Sequence, residues 1–498
     1  MSVLQGTVRT ARPATRFTTT VVAVSAATGL ASVVAFMIRT AQAHVGLLYP
    51  DGYQYLLMAR GLAEHLSPTT RLGPAGDLFV PSLDAAVKPL FPALIAAADR
   101  LGADPLVAAR TITTLAAAAV VVLAGLLVLR LTGSAAGAIV AGAACLLSPT
   151  LTFWSGFMGA DPLAQALALG SGLACASRRP VVAGSLAGLA IATRPEFAVI
   201  GIAATLAALC SGRLRHDAIR AAASGALSLT AAYLVVHPTL ALPAPALVVA
   251  GLLATCLAAT GMVAAYREPR VGVAATAVTA VFLASGAAGH TVVRADALVL
   301  GLAVAGVLLL ALTGGDRLMT AFVTTSAVSL VVVYTLKNPN ADRYLAVLVP
   351  MAAVVAGAAV AHLGKMPGRR TLAVPVVATL LVAALLVATT VAPTRPDVGP
   401  DAFATLAPQL TDEPALPLVT AAPDAFGWLL PERSVRALRP GARGLILLDG
   451  AQRLYAPDLD ARGSEVARFD QASFLRPNGS VDTGQMFLVT GVVTRRSH

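Results

Sequence analysis

Ionisable side chains are scarce in this chain, and several of them stand where long apolar runs begin or end. Asp51 follows the first apolar run and opens a polar loop over residues 39–105, and Lys88 lies near the end of the same loop, before Pro-Leu-Phe-Pro. A carboxylate can remove a proton from a hydroxyl group, and a nearby cation can stabilise an anionic leaving group. The pattern therefore indicates a site for acid–base chemistry on an anionic ligand.

Four further positions carry the same kinds of side chain. Asp161 begins an apolar run in Ala-Asp-Pro-Leu-Ala, Arg194 and Glu196 lie between two runs, and Arg343 is followed by Tyr344 in Asp-Arg-Tyr-Leu. Arginine binds phosphate oxygens through a planar fork, whereas lysine does so as a point charge. The cations at these positions are thus suited to a phosphate group.

The composition excludes several classes of protein. The 498 residues are 57% hydrophobic and only 12% charged, with a net charge of +11, whereas soluble proteins have about a quarter charged residues. Apolar runs of about twenty residues recur, which predicts a polytopic membrane protein. The arginines occur in short clusters between these runs, which is typical of membrane orientation and not of nucleic-acid binding. The four cysteines have no disulfide or metal-ligand spacing: Cys145, Cys175, Cys210 and Cys256.

Charge distribution sets the predicted topology. We predict about 13 transmembrane helices with the N-terminus inside and the C-terminus outside, and we expect the first helix to be retained rather than cleaved as a signal peptide. Every loop assigned to the cytoplasm then contains Arg or Lys, as the positive-inside rule requires. The predicted spans are 18–38, 106–130, 135–150, 159–176, 181–194, 196–211, 218–236, 244–265, 271–289, 296–313, 318–336, 344–362 and 371–391. In this topology the candidate site residues all reach the outer surface of the membrane.

The chain divides into two predicted domains. Residues 1–392 form an all-α transmembrane domain, and residues 393–498 form a small extracytoplasmic α/β domain with strand-like and helix-like stretches. In the first outer loop we predict two surface helices, at 52–64 and 89–101, the second of which is too short to span a bilayer.

Five short motifs, in this order, resemble the GT-C glycosyltransferases. The resemblance is to bacterial members similar to the protein O-mannosyltransferases and the lipid A aminoarabinose transferase, and it covers roughly residues 15–392. The motifs are Pro-Asp-Gly-Tyr-Gln-Tyr-Leu-Leu-Met-Ala-Arg, Lys-Pro-Leu-Phe-Pro-Ala-Leu, Ala-Asp-Pro-Leu-Ala, Ala-Thr-Arg-Pro-Glu and Asp-Arg-Tyr-Leu-Ala-Val-Leu-Val-Pro. Each motif alone is degenerate, so their order carries the resemblance.

The resemblance implies a function. It implies transfer of a sugar from a polyprenyl-phosphate donor to a glycan, lipid or protein acceptor of the cell envelope, at the outer face of a bacterial plasma membrane. Asp51 would be the catalytic base, and Asp161 would help to bind the acceptor or a metal ion. The cations that would face the lipid phosphate are Lys88, Arg194 and Arg343.

One departure from the family concerns metal binding. Many members have two adjacent acids in the first loop, whereas Gly52 follows Asp51 here. The cofactor question therefore stays open between no cofactor and a divalent metal ion, and no ligand is assigned. The remaining predicted substrate-binding residues are Tyr53, Arg60, Glu196 and Tyr344.

Several of these residues also have structural interpretations. Asp51 and Asp161 are each suited to capping a helix, and Arg343 is suited to anchoring a helix end at lipid headgroups. Tyr53 fits the aromatic belt of a membrane interface, which we favour over sugar stacking. Arg60 can form a helix-face ion pair with a glutamate four residues later.

A multi-pass transporter or flippase of lipid-linked sugars is the main alternative function. Transporters commonly place ionisable groups near the middle of the bilayer and contain internal repeats. In this chain the acids cluster at the ends of apolar runs, which favours the enzyme. A polymerase or ligase for cell-wall glycan outside the GT-C fold would use the same donors, and sequence separates it poorly from the preferred function.

Overall fold

The computed structural model describes residues 51–198, 201, 215–236, 296–312, 342–364, 402–411, 416–449, 460–475 and 481–494. These residues are mostly helical. The helices are α1 (Asp51–His65), α2 (Leu83–Ala86), α3 (Leu90–Arg100), α4 (Pro105–Thr132), α5 (Ala135–Leu147), α6 (Pro149–Ser155), α7 (Asp161–Ala176), α8 (Pro180–Thr193), α9 (Arg215–Val236), α10 (Ala297–Leu312), α11 (Asp342–Leu345), α12 (Leu348–Leu363), α13 (Ala402–Thr411) and α14 (Pro423–Leu429).

Helix α4 shows how local sequence sets the helix ends. The side chain of Asp104 accepts a hydrogen bond from the Val107 amide at the N-terminus, and Pro105 occupies the first turn, where its missing N–H costs nothing. At the other end Gly133 adopts a φ of 71°, a left-handed conformation that closes the helix. Its 28 residues give a length of about 42 Å, which is enough to cross a bilayer with some tilt.

Membrane-spanning character is strongest in α4 among the described residues. The pair α5 and α6, bent by 58° at the break between them, meets the same length and composition criterion when it is taken as one span. The apolar helices α8 and α12 are shorter. Six of the predicted spans lie wholly or largely outside the described residues, so the total of about 13 stays a prediction: 18–38, 196–211, 244–265, 271–289, 318–336 and 371–391.

Small residues let the apolar helices approach one another closely. Gly137 of α5 faces Gly357 of α12, and a Cβ atom added at Gly137 would lie only 2.5 Å from the Gly357 carbonyl oxygen. Gly184 and Gly188 of α8 face α9 in the same way, around Gly225. Such contacts are typical of helix packing in membranes, where close backbone approach replaces the hydrophobic effect.

The C-terminal unit, which we define as the described residues from 402 to 494, is built on a five-stranded sheet. The strands are β3 (Leu418–Thr420), β4 (Val435–Ala437), β5 (Arg443–Asp449), β6 (Asp460–Leu475) and β7 (Val481–Thr494). Their order in the sheet is β4–β3–β5–β7–β6, with β3 parallel to β4 and β5, and β7 antiparallel to β5 and β6. Helix α14 connects the parallel strands β3 and β4, as a crossover between parallel strands requires.

The apolar core of the C-terminal unit is continuous with that of the first loop. Leu56 of α1, Phe91 of α3 and Phe403 of α13 belong to one buried cluster with Phe426 of α14 and Leu418 of β3. Helix α1 therefore lies between the helical bundle and the C-terminal unit. The predicted boundary at residue 393 lies outside the described residues and stays a prediction.

A short hairpin of the first loop also joins the C-terminal unit. Its strands are β1 (Thr70–Arg71) and β2 (Leu78–Phe79). The Asp77 side chain accepts hydrogen bonds from the Ala437 amide, at 3.1 Å, and from the Arg439 guanidinium, at 2.9 Å. Gly73 has a φ of +82°, and a side chain there would collide with the Arg433 carbonyl group. The tip of the hairpin is thus fitted to the backbone of the C-terminal unit.

Candidate active site

The first contact of the site joins two residues 292 positions apart. Asp51 is the first residue of α1, and Arg343 lies in the short helix α11. The Nη2 atom of Arg343 donates a hydrogen bond of 2.8 Å to the Oδ2 atom of Asp51. Arg343 is buried, so it is not placed as a headgroup anchor at a lipid surface. The structure instead places it against the predicted base.

Asp161 connects this pair to a second arginine. It lies in the first turn of α7, whose N-cap position is Ala160 without a side-chain capping bond. The Asp161 carboxylate lies 3.2 Å from Nη1 of Arg194 and 4.0 Å from Nε of Arg343. The helix-cap interpretation of Asp161 therefore does not hold, because its carboxylate is directed at the two guanidinium groups.

Arg194 reaches this position because α8 ends early. The helix ends at Thr193, Arg194 is extended, and a turn follows at Pro195, as expected from the steric restriction that proline places on the residue before it. Only 1% of Arg194 is exposed, and its Nε atom lies 3.6 Å from the Glu196 carboxylate. The break in the helix thus delivers a cation and an anion to the same place.

Lys88 supplies a third cation to the cluster. It is fully buried, with 0% of its surface exposed, and its charge stabilises the Asp51 carboxylate. The short helix α2 leads into it, and the Lys88 amide donates a hydrogen bond of 3.0 Å to the Ala85 carbonyl group. We call the six side chains the charge cluster: Asp51, Lys88, Asp161, Arg194, Glu196 and Arg343.

Charges in the cluster alternate in sign and balance formally at three against three. Burial raises the pKa of the Asp51 carboxyl group, but the charges of Arg343, Lys88 and Arg194 and the hydrogen bond from Arg343 outweigh it. The pKa of Asp51 consequently lies below its ordinary value of 3.8. Asp51 is therefore ionised at neutral pH and can accept a hydrogen bond from a hydroxyl group.

The other predicted site residues lie outside the charge cluster, or their side chains are not among those that the structure describes. Tyr53 is fully buried, and its ring packs edge-on against Phe403 at 5.9 Å between centroids; it is a core residue, so the membrane-belt interpretation is wrong. Arg60 contacts the C-terminal unit, with its guanidinium 4.4 Å from the ring centroid of Trp428. Tyr344 lies in α11 beside Arg343, and its side chain is outside the described part of the structure.

Sequence reasoning missed Gln54, which lies one turn after Asp51 in α1. Its side chain is buried, with 8% exposed, and contacts both Ser82 and Asp424. The spacing of three residues from Asp51 on a predicted helix was the available signal, because it places both residues on neighbouring parts of one helix face.

The arrangement of acids in the described residues bears on metal binding. Among them, no group of three or more His, Cys, Asp or Glu side chains is close enough to hold a metal ion. The guanidinium group of Arg343 lies against both Asp51 and Asp161, in the place where a cation shared by these carboxylates would bind. Among the described residues, this donor set therefore does not fit a metal ion, and no metal ligand is assigned.

Comparisons with known proteins identify the fold. No protein-family model and no curated protein matches the sequence. The structure is similar to ArnT from Cupriavidus metallidurans bound to undecaprenyl phosphate, with a TM-score of 0.51 and 15% identity over 95% of this chain and 98% of that chain.

A second similarity is to the Archaeoglobus fulgidus oligosaccharyltransferase. The form in complex with Zn and sulfate gives a TM-score of 0.55 and 13% identity, covering 83% of this chain and 62% of that chain. AglB, an oligosaccharyltransferase from Archaeoglobus fulgidus, in complex with an inhibitory peptide and a dolichol-phosphate gives a TM-score of 0.51 and 11% identity, covering 82% of this chain and 64% of that chain. In these two matches the chain spans less than two thirds of the archaeal protein.

These matches confirm the fold that the resemblance implied. ArnT and AglB are GT-C glycosyltransferases of membranes, and the chain has their fold.

Removal of Arg194 should destabilise the protein strongly. Arg194→Met would remove the buried cation that Asp161 and Glu196 share, and breaking a buried ion pair in this way costs about 3–5 kcal/mol. Thermal unfolding in detergent should show a large fall in the midpoint. Arg110→Met, which removes an exposed arginine of α4, should leave the midpoint nearly unchanged; equal effects of the two substitutions would contradict the ion-pair account.

Acid should weaken the native state partly through Asp51. Because the pKa of Asp51 is lowered on folding, its contribution to stability is complete above the unfolded pKa of about 3.9 and is lost as the pH falls toward the folded value. Asp51→Asn removes the carboxyl group that takes up a proton in this pH range. Unfolding measured from neutral pH down to about pH 3 should show a smaller acid-induced loss for Asp51→Asn than for the parent or for Glu64→Gln, a substitution of an exposed acid on the same helix. An identical loss in all three proteins would refute the assignment.

Proposed function

We propose that the protein is a glycosyltransferase that moves a sugar from a polyprenyl-phosphate donor to a cell-envelope acceptor at the outer face of the membrane. The contact between Asp51 and Arg343, inside a buried cluster of three cations, is the observation that carries this proposal. It puts a carboxylate that can take a proton next to cations that can hold a phosphate. In such a donor, the bond that breaks lies between the sugar, which the acceptor hydroxyl attacks as it loses its proton, and the phosphate, which the cations would hold.

Bond changes follow from this arrangement. The acceptor hydroxyl oxygen attacks the anomeric carbon, the carbon–oxygen bond to phosphate breaks, and its electron pair leaves with the lipid phosphate. Asp51 accepts the hydroxyl proton. Because its pKa is low, it is a weak base, and the proton moves as the new carbon–oxygen bond forms and makes the attacking oxygen acidic. Attack opposite to the leaving phosphate would invert the anomeric carbon.

The cations stabilise the leaving group. Charge accumulates on the phosphate oxygens in the transition state, and fixed cations in a water-poor site stabilise such charge more than they stabilise the ground state. Among the cations, the charges of Arg343 and Lys88 act most strongly on Asp51, and these two cations would contact the phosphate, while Arg194 is paired with Asp161 at 3.2 Å. In this proposal Asp161 orients the two arginines, and Glu196 balances the charge of Arg194.

The location of the charges also bears on the alternative transporter. Asp51 and Asp161 stand at the first residues of α1 and α7, and Arg194 follows the last residue of α8. Ionisable groups of a transport pathway are more often found near the middle of the bilayer. The placement at helix ends therefore supports a site at the membrane surface, as an enzyme acting on a lipid-linked donor requires.

Asp51→Asn tests the base. Asparagine keeps the shape and helix-capping ability of aspartate but cannot take the proton, so transfer of labelled sugar from polyprenyl-phosphate donors in membranes should slow by roughly a hundredfold or more. Glu64→Gln is the matched control and should retain the parent rate. If Asp51→Asn were folded and transferred sugar at the parent rate, Asp51 would not be the base.

Lys88→Gln tests the phosphate site. Loss of one cation that stabilises the leaving group should lower kcat/KM for the donor by about a hundredfold, and free polyprenyl phosphate should inhibit the variant more weakly than the parent. Arg71→Gln removes an exposed cation of the same loop and should change neither quantity. Unchanged inhibition in a folded Lys88→Gln protein would place the phosphate elsewhere.

A further inference from the structure

Gln54 connects three parts of the chain. It belongs to α1, three residues after Asp51, and both ends of its amide group are used. The side chain is almost wholly buried. Its hydrogen-bond partners among the described residues are Ser82 and Asp424, which lie outside the charge cluster. These bonds therefore hold other parts of the chain and do not join Gln54 to the residues that would contact the substrate.

The oxygen of the amide holds the segment that leads to Lys88. Oε1 of Gln54 accepts hydrogen bonds from the Ser82 hydroxyl, at 2.9 Å, and the Ser82 amide, at 3.4 Å. The Ser82 carbonyl in turn accepts from the amides of Ala85 and Ala86, at 3.0 and 2.8 Å. The next bond joins the Lys88 amide to the Ala85 carbonyl. A continuous chain of hydrogen bonds thus runs from Gln54 to the backbone of Lys88.

The nitrogen of the amide holds the C-terminal unit. Nε2 of Gln54 donates a hydrogen bond of 3.0 Å to Oδ2 of Asp424, in α14. Arg60 joins the same helix, since its guanidinium donates to the carbonyl groups of Gly427 and Trp428, at 3.3 and 3.4 Å. Helix α14 is therefore fixed to α1 at two points, and one of these points is shared with the Lys88 segment.

We propose that Gln54 is a positioning residue that sets the placement of Lys88 relative to Asp51, and that Asp424 of the C-terminal unit holds Gln54 in the required orientation. The inference rests on the proposed function, because it assigns Lys88 to the donor phosphate and Asp51 to the acceptor. Through this contact the C-terminal unit contributes to donor binding.

An amide at position 54 suits the arrangement. The side chain accepts from Ser82 on one side and donates to a carboxylate on the other, and the planar amide of Gln has both groups. Gln54→Glu keeps the acceptor but directs a second carboxylate at Asp424. Asp424→Asn alone is tolerated, since its amide oxygen can accept from Gln54. In the double variant the amide introduced at position 424 would donate to the carboxylate introduced at position 54, which restores the bond with its direction reversed.

Four proteins test the proposal: the parent, Gln54→Glu, Asp424→Asn and the double variant. Hydrogen–deuterium exchange of the amides of Ala85, Ala86 and Lys88 reports on the segment directly, without any need for activity. The donor KM and kcat are measured in the same membranes. Gln54→Glu should accelerate exchange and lower kcat/KM for the donor by roughly tenfold each, the effect of losing about one partly buried hydrogen bond. The double variant should return both quantities to near the parent values.

Other results would overturn the inference. Parent-like exchange in Gln54→Glu, or a double variant as impaired as Gln54→Glu, would show that the bond to Asp424 does not position the segment. A loss of kcat/KM that only follows the loss of folded protein, with parent-like exchange of the segment, would indicate general destabilisation and overturn the proposal. If Gln54→Glu does not fold, Ser82→Ala removes the hydroxyl bond to Gln54 and should likewise accelerate exchange and lower the donor kcat/KM. No change in either quantity would equally overturn the proposal. If the parent transfers no sugar, the proposed function fails, while the exchange data still decide the contact.

Discussion

Pairing of buried charge is the constraint on which the site depends. An ionised side chain transferred from water to a low-dielectric interior costs several kcal/mol unless a partner of opposite sign and suitable geometry compensates for it. Arg194 and Lys88 are both almost inaccessible to solvent, so the protein must bring carboxylates to them. This pairing of charges, as well as the proposed reaction, requires three helix termini to lie close together: the starts of α1 at Asp51 and of α7 at Asp161, and the end of α8 at Thr193.

Balanced charge also explains how such a cluster can serve an anionic ligand. In the structure each arginine lies against a carboxylate, so no large net charge has to be buried. A lipid phosphate that enters would compete with Asp51 for the guanidinium group of Arg343. The carboxylate released from Arg343 would become a stronger base, since the loss of a nearby cation raises the pKa of an acid.

The sequence allowed part of this arrangement to be predicted. Apolar runs located the described helices closely, and Pro195 marked the end of α8. The convergence of Asp51 and Arg343 followed from assigning both to one membrane face, but the sequence does not specify which acid contacts which cation. Tyr53 was misread because a tyrosine beside a membrane segment has the same local context in a core as in an interface. The contact of Gln54 with Asp424 joins residues 370 positions apart and depends wholly on tertiary packing.

Binding of the lipid phosphate is the most direct measure of the central claim, that the charge cluster is a site for a polyprenyl-phosphate group. Native mass spectrometry of the purified protein in detergent can compare a polyprenyl phosphate with the uncharged polyprenol of the same length. We expect the phosphate to bind at least about a hundredfold more tightly, as two or more charge-assisted contacts imply, and Lys88→Gln to remove most of that preference. Equal binding of the phosphate and the alcohol, or a preference that survives in folded Lys88→Gln protein, would contradict the account.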